Sequence, residues 1–207
     1  MSALAQAHPQ SGPIAEAIDL MAEVGGANGD LTTQCIDILR NTVKVADVEL
    51  TLKQLEGLQK QRSLVGTPLS LAGRTSTGAS FTLAQYRGKV VVIDFWATWC
   101  EPCVAGLPDL RKAHGKFHDK GLEIVGVDCD ADDRTLNDFT AANAMPWVQL
   151  REASQTDQHP WHPLLPTLGI TGIPVVFLID RQGAVRYVDA RYNLEKKIES
   201  LLKEPAN

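Results

Sequence analysis

An α/β fold is predicted for this 207-residue chain by three observations. From Gly66 onward, stretches of β-type and helical hydrophobic spacing alternate, as in a sheet covered by helices. Residues 89–95 are a nearly continuous apolar, β-branched run, the mark of a strand buried on both faces. Directly after that run stands Cys100-Glu101-Pro102-Cys103, two thiols placed where a strand gives way to a helix.

The elements follow in order. Residues 1–12 are small, polar and punctuated by Pro and Gly, and read as a loose tail. Residues 13–24 place Ile14, Ala17, Ile18 and Met21 at helical spacing and stop at Gly25-Gly26. Asp30 is positioned to cap a second helical stretch carrying Leu31, Cys35, Ile38 and Leu39. Val48, Leu52, Leu55 and Leu58 continue it, as one helix or as two broken near Asp47. At Gly66 the period changes: residues 68–73 and 79–83 read as a short hairpin about the turn 74–78, followed by a brief turn at 83–86. After the strand 89–95, the helix that follows Cys100 carries Val104, Leu107, Leu110, Ala113 and Phe117, with Pro108 expected to kink it. A strand at 122–127, a helix at 132–142 presenting Leu136 and Phe139, and a short strand at 147–150 come next. Residues 151–169 read as irregular; residues 175–179 and 184–188 form a hairpin, and 194–202 a closing helix. The chain thus divides into an all-helical segment, 1–62, of unknown role, and an α/β domain, 63–207.

Composition narrows the function classes. With 44% hydrophobic and 22% charged residues the chain is ordinary globular material, not a disordered or membrane-spanning one. The net charge of −5, without a basic run or an aromatic-interleaved basic cluster, argues against a nucleic-acid partner. Four cysteines are too few for a disulfide-stapled scaffold, so Cys100 and Cys103 are read as working chemistry. A zinc site needs four ligands and the chain has no second Cys-x-x-Cys; no metal or other cofactor is expected beyond the redox-active Cys100–Cys103 disulfide.

At the start of a helix the unpaired amides and the macrodipole favour negative charge, which makes Cys100 the natural attacking thiolate. Cys103, one turn on and expected to lie further in, suits the resolving role. Asp94 interrupts the apolar strand, and an inward carboxyl there would be desolvated and raised in pKa. Glu101 adds a negative charge beside the thiolate and Pro102 fits the first helical turn, a spacer that leans towards a reducing pair. Cys129, at the carboxyl end of the neighbouring strand, is open between a buried inert thiol and a partner in an off-path disulfide. His114 and His118 read as surface histidines. Asp128, Asp130 and Asp132 resemble a calcium loop that lacks its glycine, and read as turn and capping residues. His159, Trp161, His162 and their prolines form either a surface loop or a border of the substrate groove.

Residues 92–103, Val-Ile-Asp-Phe-Trp-Ala-Thr-Trp-Cys-Glu-Pro-Cys, together with 172–180, Gly-Ile-Pro-Val-Val-Phe-Leu-Ile-Asp, resemble the thioredoxin superfamily, specifically its TlpA/ResA-like thiol-disulfide oxidoreductases, over about 63–205. The resemblance implies a thioredoxin-like fold, with a central mixed sheet, helices on both faces and an N-terminal β-hairpin extension. It implies a cis Ile173-Pro174 bond against the cysteines, with Ile173 and Trp99 meeting the substrate, and a proton relay from Asp94 to Cys103. Asparagine is frequent at the Asp94 position in TlpA/ResA-like proteins, so there the chain leans towards thioredoxin itself.

The function expected is a thiol-disulfide oxidoreductase that reduces or exchanges protein disulfides through a mixed disulfide at Cys100, resolved by Cys103. Its partners would be protein disulfides and an upstream thiol reductant. A peroxiredoxin-like peroxidase is one alternative, although no Pro-x-x-x-Thr-x-x-Cys pattern is present; a non-catalytic binding or metal-carrier module is another. The amphipathic N-terminal helices would pack on the redox domain or form a homo-oligomer surface. Residues 1–12 carry no leader or anchor signal, which taken literally means the cytoplasm, whereas the resemblance implies an extracytoplasmic or periplasmic place.

Overall fold

The structure is a computed structural model and describes residues 46–152, 155 and 161–205. The expected helix at 13–24, the beginning of the second helical stretch, Cys35, His159 and Pro160 lie outside the described residues. Helix α1, Ala46–Ser63, opens the described chain and runs unbroken through Asp47. A two-stranded hairpin, β1 (Ala72–Arg74) and β2 (Ser80–Thr82), leads through a 3-10 turn at Leu83–Tyr86 to β3, Val90–Trp96. Then follow α2 (Glu101–Phe117), β4 (Leu122–Asp128), α3 (Asp133–Ala142), β5 (Val148–Leu150), α4 (Leu164–Thr167), β6 (Val175–Ile179), β7 (Val185–Tyr187) and α5 (Leu194–Leu202).

β3 lies at the centre of a five-stranded mixed sheet of order β5-β4-β3-β6-β7. It pairs in parallel with β4 and antiparallel with β6, and all seven of its residues are buried. That burial on both faces is what the unbroken apolar run at this position requires. Phe95 meets Phe177 of β6 edge-on, with ring centroids 5.3 Å apart. The outer strands β5 and β7 would leave open edges, and the segment around the hairpin covers both. Thr75 bridges to Leu150 and the Ser76 amide donates to the Gln149 carbonyl on one side; Val65 and Pro68 bridge to Val185 and Ala184 on the other.

At one position a glycine decides the geometry of the sheet. A Cβ on Gly126 of β4 would stand 1.9 Å from Oε1 of Gln149. The missing side chain lets Gln149 lie across β4, where that oxygen accepts a hydrogen bond from Nε1 of Trp96 at 3.0 Å. Trp96 also packs against Phe139 of α3.

The sequence reading of 151–169 as irregular is corrected by α4. Pro166 sits in the first turn of this one-turn helix, where its missing N–H has no intrahelical acceptor to disappoint, so a proline-rich stretch hides a helix. α2 likewise continues through Pro108.

Helix α1 is docked on the segment after α4. Gly57 and Gly169 touch backbone to backbone: a Cβ on Gly57 would lie 2.4 Å from the Gly169 carbonyl oxygen. The buried Gln61 amide donates to that same oxygen at 2.8 Å, and Lys60 Nζ donates to the Pro166 carbonyl. Packing of this part of the N-terminal segment on the α/β domain is therefore visible, while any surface built by residues 1–45 lies outside the described residues. Gly57→Ala is expected to destabilise the protein by about 1–3 kcal/mol through overpacking. Gly115→Ala, in a helix position where nothing lies within 4 Å, should be neutral or stabilise by about 0.5–1 kcal/mol. Urea denaturation of both variants checks this, and a Gly57→Ala protein as stable as the parent would contradict the close docking.

Candidate active site

The parallel strands β3 and β4 end together, and the chain turns from each of them towards the same corner of the sheet. Cys100 is the N-cap of α2; its carbonyl accepts hydrogen bonds from the amides of Cys103 and Val104 at 2.9 and 3.0 Å. Glu101 and Pro102 occupy the first helical turn, where proline's missing N–H costs nothing. Cys100 and Cys103 are joined by a disulfide, with Cα atoms 5.2 Å apart. A thiolate formed at Cys100 would face the open amide end of a seventeen-residue helix.

Burial does not separate the two cysteines, contrary to the expectation that Cys103 lies further in: Cys100 is 5% exposed and Cys103 4%. Their surroundings do. Cys103 lines a small, partly open cavity of about 60 Å³ together with Asp94, Gly106, Pro174, Val176 and Arg191, and Cys100 does not. The cavity is roomy enough for at least one water. Asp94 is 3% exposed and lies in the middle of β3. Burial pushes its carboxyl up to about 7, partly opposed by the positive charge of Arg191. A carboxyl titrating there can both take and give a proton near neutrality. The Ile173–Pro174 bond is cis, and Pro174 closes the cavity wall between β6 and the disulfide.

On the outer side, Trp99 is 56% exposed and Trp161 44% exposed, and their rings meet edge to face at 6.2 Å. Trp161 thus joins Trp99, the neighbour of Cys100, on the exposed side. His162 turns inward: burial pushes its imidazole down to about 4, so it is neutral, and Nδ1 accepts the Leu164 amide at the start of α4.

The approach to Cys100 is braced by a residue read from sequence only as a turn former. Asp130 is buried, and its carboxylate accepts both the amide and the hydroxyl of Thr98, the latter at 2.7 Å. Bonds to a charged acceptor of this kind are worth about 1.5–3 kcal/mol each. Asp130 is in turn held by the buried Arg151, whose Nη1 donates to its carbonyl and to the carboxylate of Asp128 at 2.9 Å. Burial and the adjacent Asp130 raise the Asp128 pKa, and Arg151 opposes them. Arg151 also pairs with Asp133, and the Gln155 amide donates to the Asp128 carbonyl. Three aspartates at a strand's carboxyl end were the available signal; that the middle one reaches Thr98 depends on β3 and β4 being neighbours. Asp132 caps α3 through the Thr135 amide, as a capping residue should.

Cys129 is completely buried, and burial pushes its thiol up to about 12, so it carries no thiolate with which to enter an off-path disulfide. His114 and His118 stack on each other near the far end of α2, away from the cysteines, with His114 also against Trp147.

Comparison with known proteins agrees with this geometry. Residues 66–188 match the AhpC/TSA family. The thiol-disulfide oxidoreductase ResA of Bacillus thuringiensis subsp. konkukian is 27% identical over 128 residues, 61% of this chain and 69% of its own. ResA of Bacillus anthracis is 28% identical over 127 residues, again 61% and 69%. The thioredoxin domain of a Bacteroides vulgatus thiol-disulfide oxidoreductase superposes with a TM-score of 0.59 at 26% identity, covering 67% of this chain and 98% of that one. A Chlorobium tepidum protein described as the thiol:disulfide interchange protein DsbE gives a TM-score of 0.56 at 28% identity, covering 65% and 94%.

The raised Asp94 has a consequence for stability. Well below pH 4 the carboxyl is protonated in both the folded and the unfolded chain and makes no difference. As pH rises towards 7 the unfolded chain ionises while the folded one holds its proton, so folding loses up to about 4 kcal/mol, the full loss being reached above pH 7. Asp94→Asn is therefore expected to gain stability over the parent at pH 8, a gain that is lost near pH 3. Urea denaturation at both pH values measures this; a difference that does not change with pH would contradict the burial of an ionisable Asp94.

Proposed function

This chain belongs to the AhpC/TSA family and is a thiol-disulfide oxidoreductase, and we propose that it works as a reductase of disulfides in other proteins. The observation that carries the reading is the unequal setting of the two sulfurs: Cys100 caps the helix on the side of the exposed Trp99, while Cys103 lines the cavity of Asp94.

The steps follow from that setting. The Cys100 thiolate attacks one sulfur of a substrate disulfide; a Cys100–substrate disulfide forms and the other substrate sulfur leaves as a thiolate. Cys103 gives its proton to the Asp94 carboxylate and attacks the sulfur of Cys100. The Cys100–Cys103 disulfide closes and the second substrate thiolate leaves. Two electrons have passed to the substrate, and an upstream dithiol returns them by the reverse exchange. Trp99, Ile173 and Pro174 would meet the substrate segment. The Glu101 carboxylate, in the first turn of α2, supports the reducing direction, because it opposes the helix end that stabilises the Cys100 thiolate, and a stabilised thiolate is what makes such a pair a strong oxidant.

The peroxidase alternative lacks its arrangement. The Thr98 hydroxyl donates to Asp130, and Cys100 is bonded to Cys103. An extracytoplasmic place of work is proposed on the TlpA/ResA resemblance; among the described residues no helix is long and apolar enough to cross a membrane.

With an upstream dithiol supplied, the protein is expected to reduce insulin, Cys100→Ser to abolish turnover, and Cys103→Ser to accumulate a mixed disulfide. The reduction potential of the pair should fall between roughly −220 and −300 mV, and a value near about −120 mV would overturn the reductase direction in favour of an oxidant.

A further inference from the structure

The proton that leaves Cys103 has to reach bulk water, and Asp94 has no surface of its own through which to pass it: only 3% of the residue is exposed. The face beside Trp99 is where a substrate would sit during the resolving step. A second way out is offered by a neighbouring cavity. The cavity shared by Asp94 and Cys103 adjoins a larger open one of about 440 Å³, and Asp109, Arg191 and Leu194 line both. Leu194 is buried, whereas Asp109 and Arg191 are exposed, so the common wall is a mouth with one apolar and two charged sides.

We propose that Arg191 is the positioning residue of the proton step, its guanidinium standing at the mouth between the two cavities to hold Asp94 in the carboxylate form that accepts the Cys103 proton, at the point where that proton leaves for bulk water. The inference rests on the proton role of Asp94 proposed above.

Arg191 is the cation that acts on Asp94, and it opposes the effect of burial on that carboxyl. Among the described residues, the other ionisable groups close to Asp94 do not do this. Asp109 of α2 would add negative charge, Cys103 is the proton's source, and Cys129, beyond β4, stays a neutral thiol. Arg191 also meets Asp189 in an exposed contact at 3.4 Å, where solvent weakens the pairing. In the balanced step, the Cys103 S–H proton goes to Asp94 and the Cys103 sulfur bonds to Cys100. The substrate leaves as a thiolate, and Asp94 releases the proton past Arg191 to solvent.

The test uses the reduced full-length chain and Ellman's reagent. One thionitrobenzoate leaves as Cys100 forms its mixed disulfide and a second leaves as Cys103 resolves it; stopped-flow absorbance follows the second phase from about pH 5 to about pH 9. In the parent the rate of that phase rises with pH as Asp94 ionises. Arg191→Gln is expected to move the rise to higher pH by about half a unit or more, slowing resolution about threefold on the acid side, while Arg191→Lys keeps the parent profile. Asp94→Asn should lose the rise altogether. An Arg191→Gln profile that superimposes on the parent while Asp94→Asn loses its rise would overturn the role of Arg191 alone. An Arg191→Lys profile displaced as far as Arg191→Gln would overturn the role of its charge. An Asp94→Asn profile like the parent's would overturn the reading of Asp94, and this inference with it.

Discussion

An ionisable carboxyl almost wholly buried inside a strand is the constraint around which this molecule is arranged. Asp94 sits at the middle of β3, hydrogen-bonded through its backbone between β4 and β6, with both faces of the strand covered. Left without a use, a buried group of this kind is a cost, because its charged form is desolvated and its neutral form must hold a proton at neutral pH. The surroundings convert that cost into chemistry. A small cavity is lined by both this residue and one of the two cysteines, and the Arg191 cation at the cavity's mouth moderates the effect of burial.

The same strand supplies the rigid base for the other sulfur. β3 ends at Trp96, whose indole is fixed by Gln149 across the glycine gap in β4, and Thr98 is tied to Asp130 at the end of β4. Between these two anchors and the first turn of α2, the loop carrying Trp99 and Cys100 is held on both sides. Arg151 extends the brace by binding Asp128 and Asp130 together in the interior. Buried ion pairs of this kind add little net stability, and removing one partner costs several kcal/mol, so their value here is in the geometry they hold. The result is a site with two unlike sides: an exposed aromatic rim of Trp99 and Trp161, and a small pocket that holds the Asp94 carboxyl.

Much of this was legible in the sequence where local rules decide. The unbroken apolar run of β3, the cysteine pair at a strand-to-helix junction and the hairpin about residues 180–183 all announce themselves through composition and spacing. Asp94 stood out because a charged residue in such a run needs a reason. Residues that act across the fold did not stand out. Nothing near Arg191 says that it closes a cavity under a strand almost a hundred positions earlier, and Trp161 reaches Trp99 only once α4 has folded out of a stretch whose prolines suggested no helix. The relative depth of Cys100 and Cys103 was also beyond local reasoning: one helical turn separates them, yet their burial is the same and only the cavity tells them apart.

The most direct test of the account is a titration of Asp94 itself in the oxidised protein, by carboxyl-selective ¹³C NMR with Asp94→Asn as the assignment control. The account predicts a midpoint of about 7 for this carboxyl. A midpoint near 4, the ordinary aspartate range, would mean that the group is solvated and that the proton chemistry assigned to the cavity does not take place there.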